Sequence, residues 1–179
     1  DALAPVLLAG YFSQQHCEVK LYNEVNSGFI EVFSAELLSW PDMVVLTGLT
    51  AGTTYWYCAI GQSSVGKSYG VLLSVVTPGA PVATTNAATA ISGTGATLNG
   101  EATANGATTT AWFRWSATNP GTCDDLFGTR TPATGGTNVG VGTSPAPYTA
   151  SVTGLTPGAT YYFCAIAQNS EGTAYGAVR

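Results

Sequence analysis

The stretch VTGLTPGATYYFCAIAQNSEGTAYG, residues 152–176, is a second copy of LTGLTAGTTYWYCAIGQSSVGKSYG, residues 46–70. The two copies are identical at 15 of 25 positions, and every match lies 106 residues apart. A long internal repeat indicates two homologous structural units. We predict that the units cover 1–79 and 80–179 and meet at VVTPGAPVATT, residues 75–85, where two prolines and a glycine interrupt the pattern.

The four cysteines follow the same repeat. Cys17 and Cys58 are 41 positions apart, and so are Cys123 and Cys164. Neither pair has the CxxC spacing of a metal site, and His16 is the only histidine in the sequence. The spacing favours two equivalent disulfides, Cys17–Cys58 and Cys123–Cys164, over four free thiols or pairing between the repeats. Disulfides form in oxidising compartments, so we expect an extracellular or cell-surface protein.

Charged residues make up only 8% of the 179 residues, whereas hydrophobic residues make up 45%. This composition supplies a core but leaves few groups for acid, base or nucleophilic chemistry. Ten acidic against five basic residues give a net charge of −5, which disfavours nucleic acid as a partner. No run reaches the roughly 18 apolar residues of a membrane helix, so we expect no membrane insertion.

The residue pattern predicts an all-β chain. Residues 161–167 alternate large and small side chains, and residues 111–115 contain three aromatics in five positions. Residues 6–12 form a third strand-like run and could be a strand of the first unit. The loops at 63–66 and 169–172 occupy equivalent positions of the repeat, which is typical of hairpins.

The repeated motif resembles a corner found in fibronectin type III domains. Residues 155–161, LTPGATY, are similar to the L-x-P-G-T-x-Y corner of that family, and residues 162–167 look like its strand F. Residues 88–100 resemble strands A and B of the bacterial extracellular version, and residues 111–115 resemble strand C. The resemblance implies two tandem immunoglobulin-like (fibronectin type III-like) β-sandwiches. It covers nearly all of 80–179 but only about half of 1–79, mainly from Leu46 onward.

Two departures from that family affect the expected architecture. The family usually has no disulfide, whereas each matched strand F here contains a cysteine. If residues 6–12 are strand C, the N-terminal strands of the first unit are missing, and the last strand of the second unit is truncated at Arg179. Incomplete sandwiches expose unpaired edges. We weigh a fragment of a longer array, a different strand arrangement, and strands donated between identical subunits to form a filament.

No residue constellation predicts catalysis, cofactor binding or a resident metal. A triad through His16 is disfavoured because the equivalent residue of the second unit is Thr122. The pair Asp124 and Asp125 could contribute to a calcium site with Asn119, but solvated loop charges are the better interpretation. The glycine-rich stretches lack the strand–helix frame of a phosphate loop.

The sequence does predict a binding surface on the second unit. The resemblance implies that alternate residues of strand F point into the core, namely Tyr161, Phe163 and Ala165. If Arg114 points outward, strand alternation predicts an exposed contact patch beside the second disulfide, made of Trp112, Arg114 and Tyr162, with Trp56 as the counterpart in the first unit. The patch could pack against a neighbouring module or subunit, stack on sugar rings, or simply pack against the disulfide; the first alternative is favoured.

These observations favour a non-catalytic extracellular structural protein. We expect a repeat module of a surface stalk or adhesin, or a subunit of a self-assembling filament, whose partners are neighbouring repeats or identical subunits. The alternative is an accessory carbohydrate-binding or spacer module of a secreted polysaccharide-active enzyme, with a glycan as its partner. We expect no cofactor.

Overall fold

The computed structural model describes residues 6–8, 17–23, 28–35, 44–63 and 65–179. The chain divides into two compact units, Asp1–Thr77 and Pro78–Arg179, so the boundary lies two residues before the predicted one. Every regular element in the described ranges is a strand, and no helix occurs in them, which confirms the all-β prediction. Within those ranges no helix is long and apolar enough to cross a membrane.

Unit one contains two antiparallel sheets. Its strands are β1 (Val6–Leu8), β2 (Cys17–Asn23), β3 (Gly28–Ala35), β4 (Val44–Leu46), β5 (Thr54–Ser63), β6 (Gly66–Tyr69) and β7 (Leu73–Val76). β1 pairs with β4, and the second sheet has the order β3-β2-β5-β6, with β7 also paired to β5. Among its described residues, Leu46 and Tyr55 form one buried cluster, packed against Leu49, Tyr57 and Val75.

The expectation that residues 6–12 form strand C is wrong for the part that the structure describes. Val6–Leu8 pairs with β4, and the strand beside β5 is Cys17–Asn23. Residues 9–12 lie outside the described residues. The physical reason is local: β2 and β3 are β-prone runs only four residues apart, so they pair with each other as neighbours in sequence, and this pair takes the place next to β5.

Unit two is a β-sandwich of two sheets. Its strands are β8 (Val82–Thr89), β9 (Gly95–Thr103), β10 (Thr109–Ser116), β11 (Thr129–Thr131), β12 (Thr137–Gly140), β13 (Ala146–Thr153), β14 (Tyr162–Asn169) and β15 (Gly172–Tyr175). One sheet has the order β13-β9-β8 and the other β11-β10-β14-β15, with β12 also on β10. β9, β10 and β14 lie at the residues expected for strands B, C and F, whereas β8, in the place of strand A, begins six residues before the expected range of 88–100. The fold is therefore fibronectin type III-like, as the motif predicted.

The core of unit two lies between its two sheets. Phe113, Phe163 and Ala165 are buried in one cluster with residues of the other sheet, which confirms that they point inward. The two sheets lie close together at Gly100, where a Cβ would lie 3.0 Å from the Cβ of Ala165 and 3.1 Å from Cε1 of Phe113. Any side chain at position 100 would therefore push the two sheets apart.

The repeated motif builds the same corner in both units. The hydroxyl of Tyr55 accepts a hydrogen bond from the backbone N of Thr50 at 2.9 Å, and the hydroxyl of Tyr161 accepts one from Thr156 N at 3.0 Å. This is the tyrosine corner of immunoglobulin-like sandwiches. The bond from Thr156 lowers the pKa of Tyr161. In unit two the turn needs Gly158 at φ +74, a backbone conformation that other residues rarely adopt.

The backbone after β15 continues to pair with β14. Gly176 N donates to Ala165 O at 2.8 Å, and Phe163 and Arg179 exchange both of their backbone hydrogen bonds at 2.8 and 2.9 Å. The sheet is therefore paired on this side up to the last residue of the sequence.

A buried hydroxyl lies at the centre of this core. Tyr148 is 4% exposed, its ring centroid is 4.7 Å from that of Phe113, and its hydroxyl donates toward the backbone oxygens of Trp112 and Ile166 at 3.4 and 3.3 Å. Burial raises the pKa of Tyr148 far above the usual tyrosine value, and the bond to Ile166 offsets this only in part. The folded unit therefore keeps this proton at a pH where the unfolded chain has lost it.

We predict that unit two loses stability as the pH rises above about 10, the ordinary tyrosine pKa. Below that pH both states are protonated at Tyr148 and the residue adds no pH dependence. Above it the unfolded state binds fewer protons, so the free energy of unfolding falls by up to about 1.4 kcal/mol per pH unit. Urea unfolding of the full chain between pH 9 and 11 should show a steeper decline for the wild type than for Tyr148→Phe. Parallel declines would contradict the prediction.

Candidate functional site

The residues predicted to form the contact patch do lie on one face of unit two. On β10, Trp112 and Arg114 point away from the core, and in the register of the sheet they stand opposite Ile166 and Cys164 of β14. We call this side of the sheet the outer face. Strand alternation therefore correctly predicts which residues share a side of the sheet.

The outer face is not exposed. Trp112 is only 4% exposed, and Cys164 and Ile166 are completely buried. They form a second apolar cluster, separate from the main core, against which Cys123, Phe127 and Val178 pack. The prediction of an exposed patch is thus wrong at Trp112, and the third alternative, packing against the disulfide, describes what the structure contains. Tyr162 is half-buried, and it lies at the start of β14 opposite Ser116.

The segment between β10 and β11, residues 117–128, is the layer that buries the outer face, and we call it the cover loop. Cys123 is bonded to Cys164 of β14, with 6.0 Å between their Cα atoms. This disulfide confirms one of the two predicted bridges. The loop turns locally on Asp124, whose Oδ1 accepts hydrogen bonds from the backbone N of Leu126 at 2.7 Å and of Phe127 at 2.9 Å. That turn directs the Phe127 ring onto the cluster.

Asp125 holds the cover loop to β10 through polar contacts. Its Oδ1 accepts a hydrogen bond from Trp112 Nε1 at 2.8 Å and one from Arg114 Nε at 2.9 Å. Arg114 Nη2 also donates to the backbone oxygen of Asp125. The Arg114 side chain is 17% exposed and the Asp125 side chain 38%, so the pair is partly shielded from solvent. One carboxylate therefore satisfies both the indole N–H and the guanidinium.

Arg130 closes the other side of the tryptophan. Its guanidinium carbon lies 4.4 Å from the centroid of the Trp112 ring, a cation–π contact. Nη1 donates to Pro132 O at 2.9 Å and Nη2 donates to Gly135 O, which fixes the guanidinium in this position. Trp112 is thus held between Asp125 at its N–H and Arg130 at its face.

The polar groups considered for metal binding have protein partners. Asn119 Oδ1 accepts from Gly121 N at 2.8 Å, and both aspartates accept the hydrogen bonds given above. No group of three or more metal-ligating side chains occurs in the ranges that the structure describes. Asp124 and Asp125 act as turn and loop anchors here, a role that the interpretation as solvated loop charges did not include.

The equivalent region of unit one differs. Cys58 is a free, half-buried thiol, and the register places Lys20 opposite it, with Cys17 opposite Gly61. The predicted Cys17–Cys58 bridge is therefore not formed in this structure, because β2 aligns the two cysteines three positions out of register. Trp56, the expected counterpart in the contact patch, is half-buried.

An apolar cleft at one end of unit two was not predicted. It has a volume of about 400 Å³ and opens between the β8–β9 turn and the corner before β14. Its walls include Ile91, Leu98, Trp115, Leu155 and Tyr161. The backbone groups at its rim bond to each other, as in Leu155 N to Thr94 O at 3.0 Å, so they do not converge on the cleft. No charged residue lines it.

Comparisons with known proteins find structural neighbours of low sequence identity. No family model matches the sequence, and no curated protein matches it. The FN1–FN3 domains of chicken CNTN1 are 13% identical with a TM-score of 0.40, and the match covers 94% of this chain and 56% of that one. A two-domain fibronectin type III segment from chicken tenascin is 14% identical with a TM-score of 0.37, covering 100% and 95%. The chain thus spans about half the length of the first of these structures.

Proposed function

We propose that the chain is a non-catalytic structural module of an extracellular or cell-surface protein, serving as a mechanically resistant spacer or filament subunit. The observation that carries the proposal is the cover loop. The polar side chains in unit two that had been candidates for chemistry are engaged in holding this loop on the outer face. The disulfide between Cys123 and Cys164 supports an oxidising compartment.

The arrangement suits a load-bearing role. The disulfide joins the cover loop to β14, which is the central strand next to β10, so tension on the chain cannot separate these two segments without breaking a covalent bond. Asp125 and Arg114 add a polar contact at the same place. The main core and the outer-face cluster lie on opposite sides of one sheet, so unfolding must disrupt both together.

The carbohydrate alternative depended on exposed rings at Trp112 and Tyr162, and Tyr162 is half-buried. With 4% of its surface exposed and Asp125 on its N–H, Trp112 offers no face to a sugar while the cover loop is in place. We therefore do not propose a glycan as the partner.

Force spectroscopy on the full chain tests the mechanical role. Under non-reducing conditions the disulfide hides the 41 residue steps between its cysteines, so unfolding of unit two should release about 140 Å less chain than after reduction, at roughly 3.5 Å per residue. We expect a discrete unfolding event in both states, at a higher force when the disulfide is intact. Gradual extension with no discrete event for unit two would contradict a load-bearing role.

Localisation is tested separately by labelling cells that produce the natural protein with an antibody raised against this chain. Extracellular display predicts labelling of intact cells or recovery of the antigen from the medium. Labelling that requires permeabilised cells would contradict the proposal, whatever the mechanical result.

A further inference from the structure

The sheet edges of unit two are not equally protected. On one edge, β8 has an irregularity in its pairing between Asn86 and Thr89, and its Thr85 oxygen already accepts a hydrogen bond from Arg179 Nε at 2.8 Å. The opposite sheet ends in strands of three or four residues, β11 and β12 on one side and β15 on the other. Short strands and bulges are common protections against edge-to-edge pairing.

β13 lacks each of these protections. It is eight residues long, and its register with β9 runs without a break from Ala146 opposite Ala102 to Thr153 opposite Gly95. Its sequence, APYTASVT, has no charged residue, and only Pro147, near its start, would hinder pairing with another strand. β13 has one hydrogen-bonded neighbour, and within the described part of the chain no backbone hydrogen bond reaches its other side.

We infer that β13 is an association edge, to which β13 of a second copy of this chain adds as an antiparallel strand. Pairing about a two-fold axis makes the contact self-complementary, as in most homodimers. The inference goes beyond the proposed function, because it identifies a contact between copies and applies equally to a spacer and to a filament subunit.

The residues of β13 fit a partner identical to itself. Tyr148 and Val152 point into the core, whereas Thr149 and Ser151 are exposed on the other side. Two-fold antiparallel pairing keeps this division in both copies, so short hydroxyl side chains meet short hydroxyl side chains and can hydrogen-bond across the strands. A partner strand bearing charges would find no opposite charge on β13, whereas a second copy brings the same neutral edge.

Sedimentation of the full chain over a range from micromolar to about millimolar concentration tests the inference. We expect a reversible monomer–dimer equilibrium. Thr149→Lys should weaken dimerisation at least about tenfold, because it places like charges close together on adjacent strands. The matched control is Thr84→Lys, which puts the same charge at an exposed position of the protected β8 edge and should leave the dimerisation constant unchanged.

Ser151→Lys provides a second variant at the same edge if Thr149→Lys folds poorly, and circular dichroism with thermal melting checks that each variant is folded. A wild-type chain that stays monomeric over the whole range overturns the inference. So does equal weakening by the β13 and β8 substitutions. Association that depends on an added protein instead of on concentration would likewise overturn it, in favour of a different partner.

Discussion

Trp112→Ala should lower the free energy of unfolding of unit two by about 3–5 kcal/mol, the usual cost of removing a large buried aromatic side chain. The indole is 4% exposed, packs on Cys164 and Ile166, and donates its N–H to Asp125. Removing it leaves a cavity beneath the cover loop and takes one donor from a carboxylate that is only partly exposed. Hydrogen exchange of β10 and β14 amides in the full chain measures the change for this unit.

Trp112→Phe is the matched control for the Trp112→Ala experiment. It keeps most of the ring volume but loses the N–H bond to Asp125, so its cost should be smaller, about 1.5–3 kcal/mol, that of one hydrogen bond to a charged group. An alanine variant with the same exchange protection as the wild type would mean that the outer-face cluster contributes nothing to stability.

The double substitution Cys123→Ala with Cys164→Ala should destabilise unit two by about 4 kcal/mol, from the loop-closure entropy that a bridge of this span removes from the unfolded chain. We also expect the cover loop to exchange its amides faster, because only non-covalent contacts, those of Asp125 and the packing of Phe127, would then hold it. Both effects are measured by hydrogen exchange, and reduction of the wild-type chain should reproduce them.

Cys58→Ala supplies the internal comparison for the disulfide experiment. Cys58 carries a free thiol in unit one, so its substitution should leave the protection of β10 and β14 unchanged. If the double variant of unit two proved as stable as the wild type, the disulfide would be a by-product of proximity and the load-bearing proposal would lose its main support.

The fold of unit two could be predicted because the residues that determine it lie close together in the sequence and recur in the repeat. The corner motif fixes the turn before β14 through Tyr161 and Gly158, and strand alternation then assigns Phe163 and Ala165 to the core. Each of these inferences depends on residues within a few positions of each other. Short-range patterns of this kind are therefore good predictors of local structure.

The burial of the outer face could not be read from alternation. Alternation separates two sides of a sheet, but it does not say whether a third layer covers one of them. One feature of the sequence did indicate such a layer. Cys164 points to the outer side, so a bridge to Cys123 places the loop that contains Cys123 across that face. Asp125 gave no comparable signal, because an aspartate in a loop is usually solvated and its partners Trp112 and Arg114 are more than ten positions away.

Unit one was predicted less well because its first strands lie outside the repeated motif. β2 pairs with both β3 and β5, just as β10 pairs with both β11 and β14 in unit two. The strand beside β5 was expected at residues 6–12 because no repeated motif marks β2 in the sequence.

The engagement of the arginines in unit two has a consequence for digestion by trypsin-like proteases. This unit contains no lysine, and its three arginines are Arg114, Arg130 and Arg179. Arg114 is paired with Asp125, Arg130 lies over Trp112, and Arg179 donates to Thr85 O. A trypsin-like enzyme must insert a free basic side chain into its specificity pocket. Arg114 can offer its side chain only after the cover loop has come away, and Arg130 only after its contacts with Trp112, Pro132 and Gly135 have broken. Cleavage within unit two should therefore be limited by local opening at these two sites.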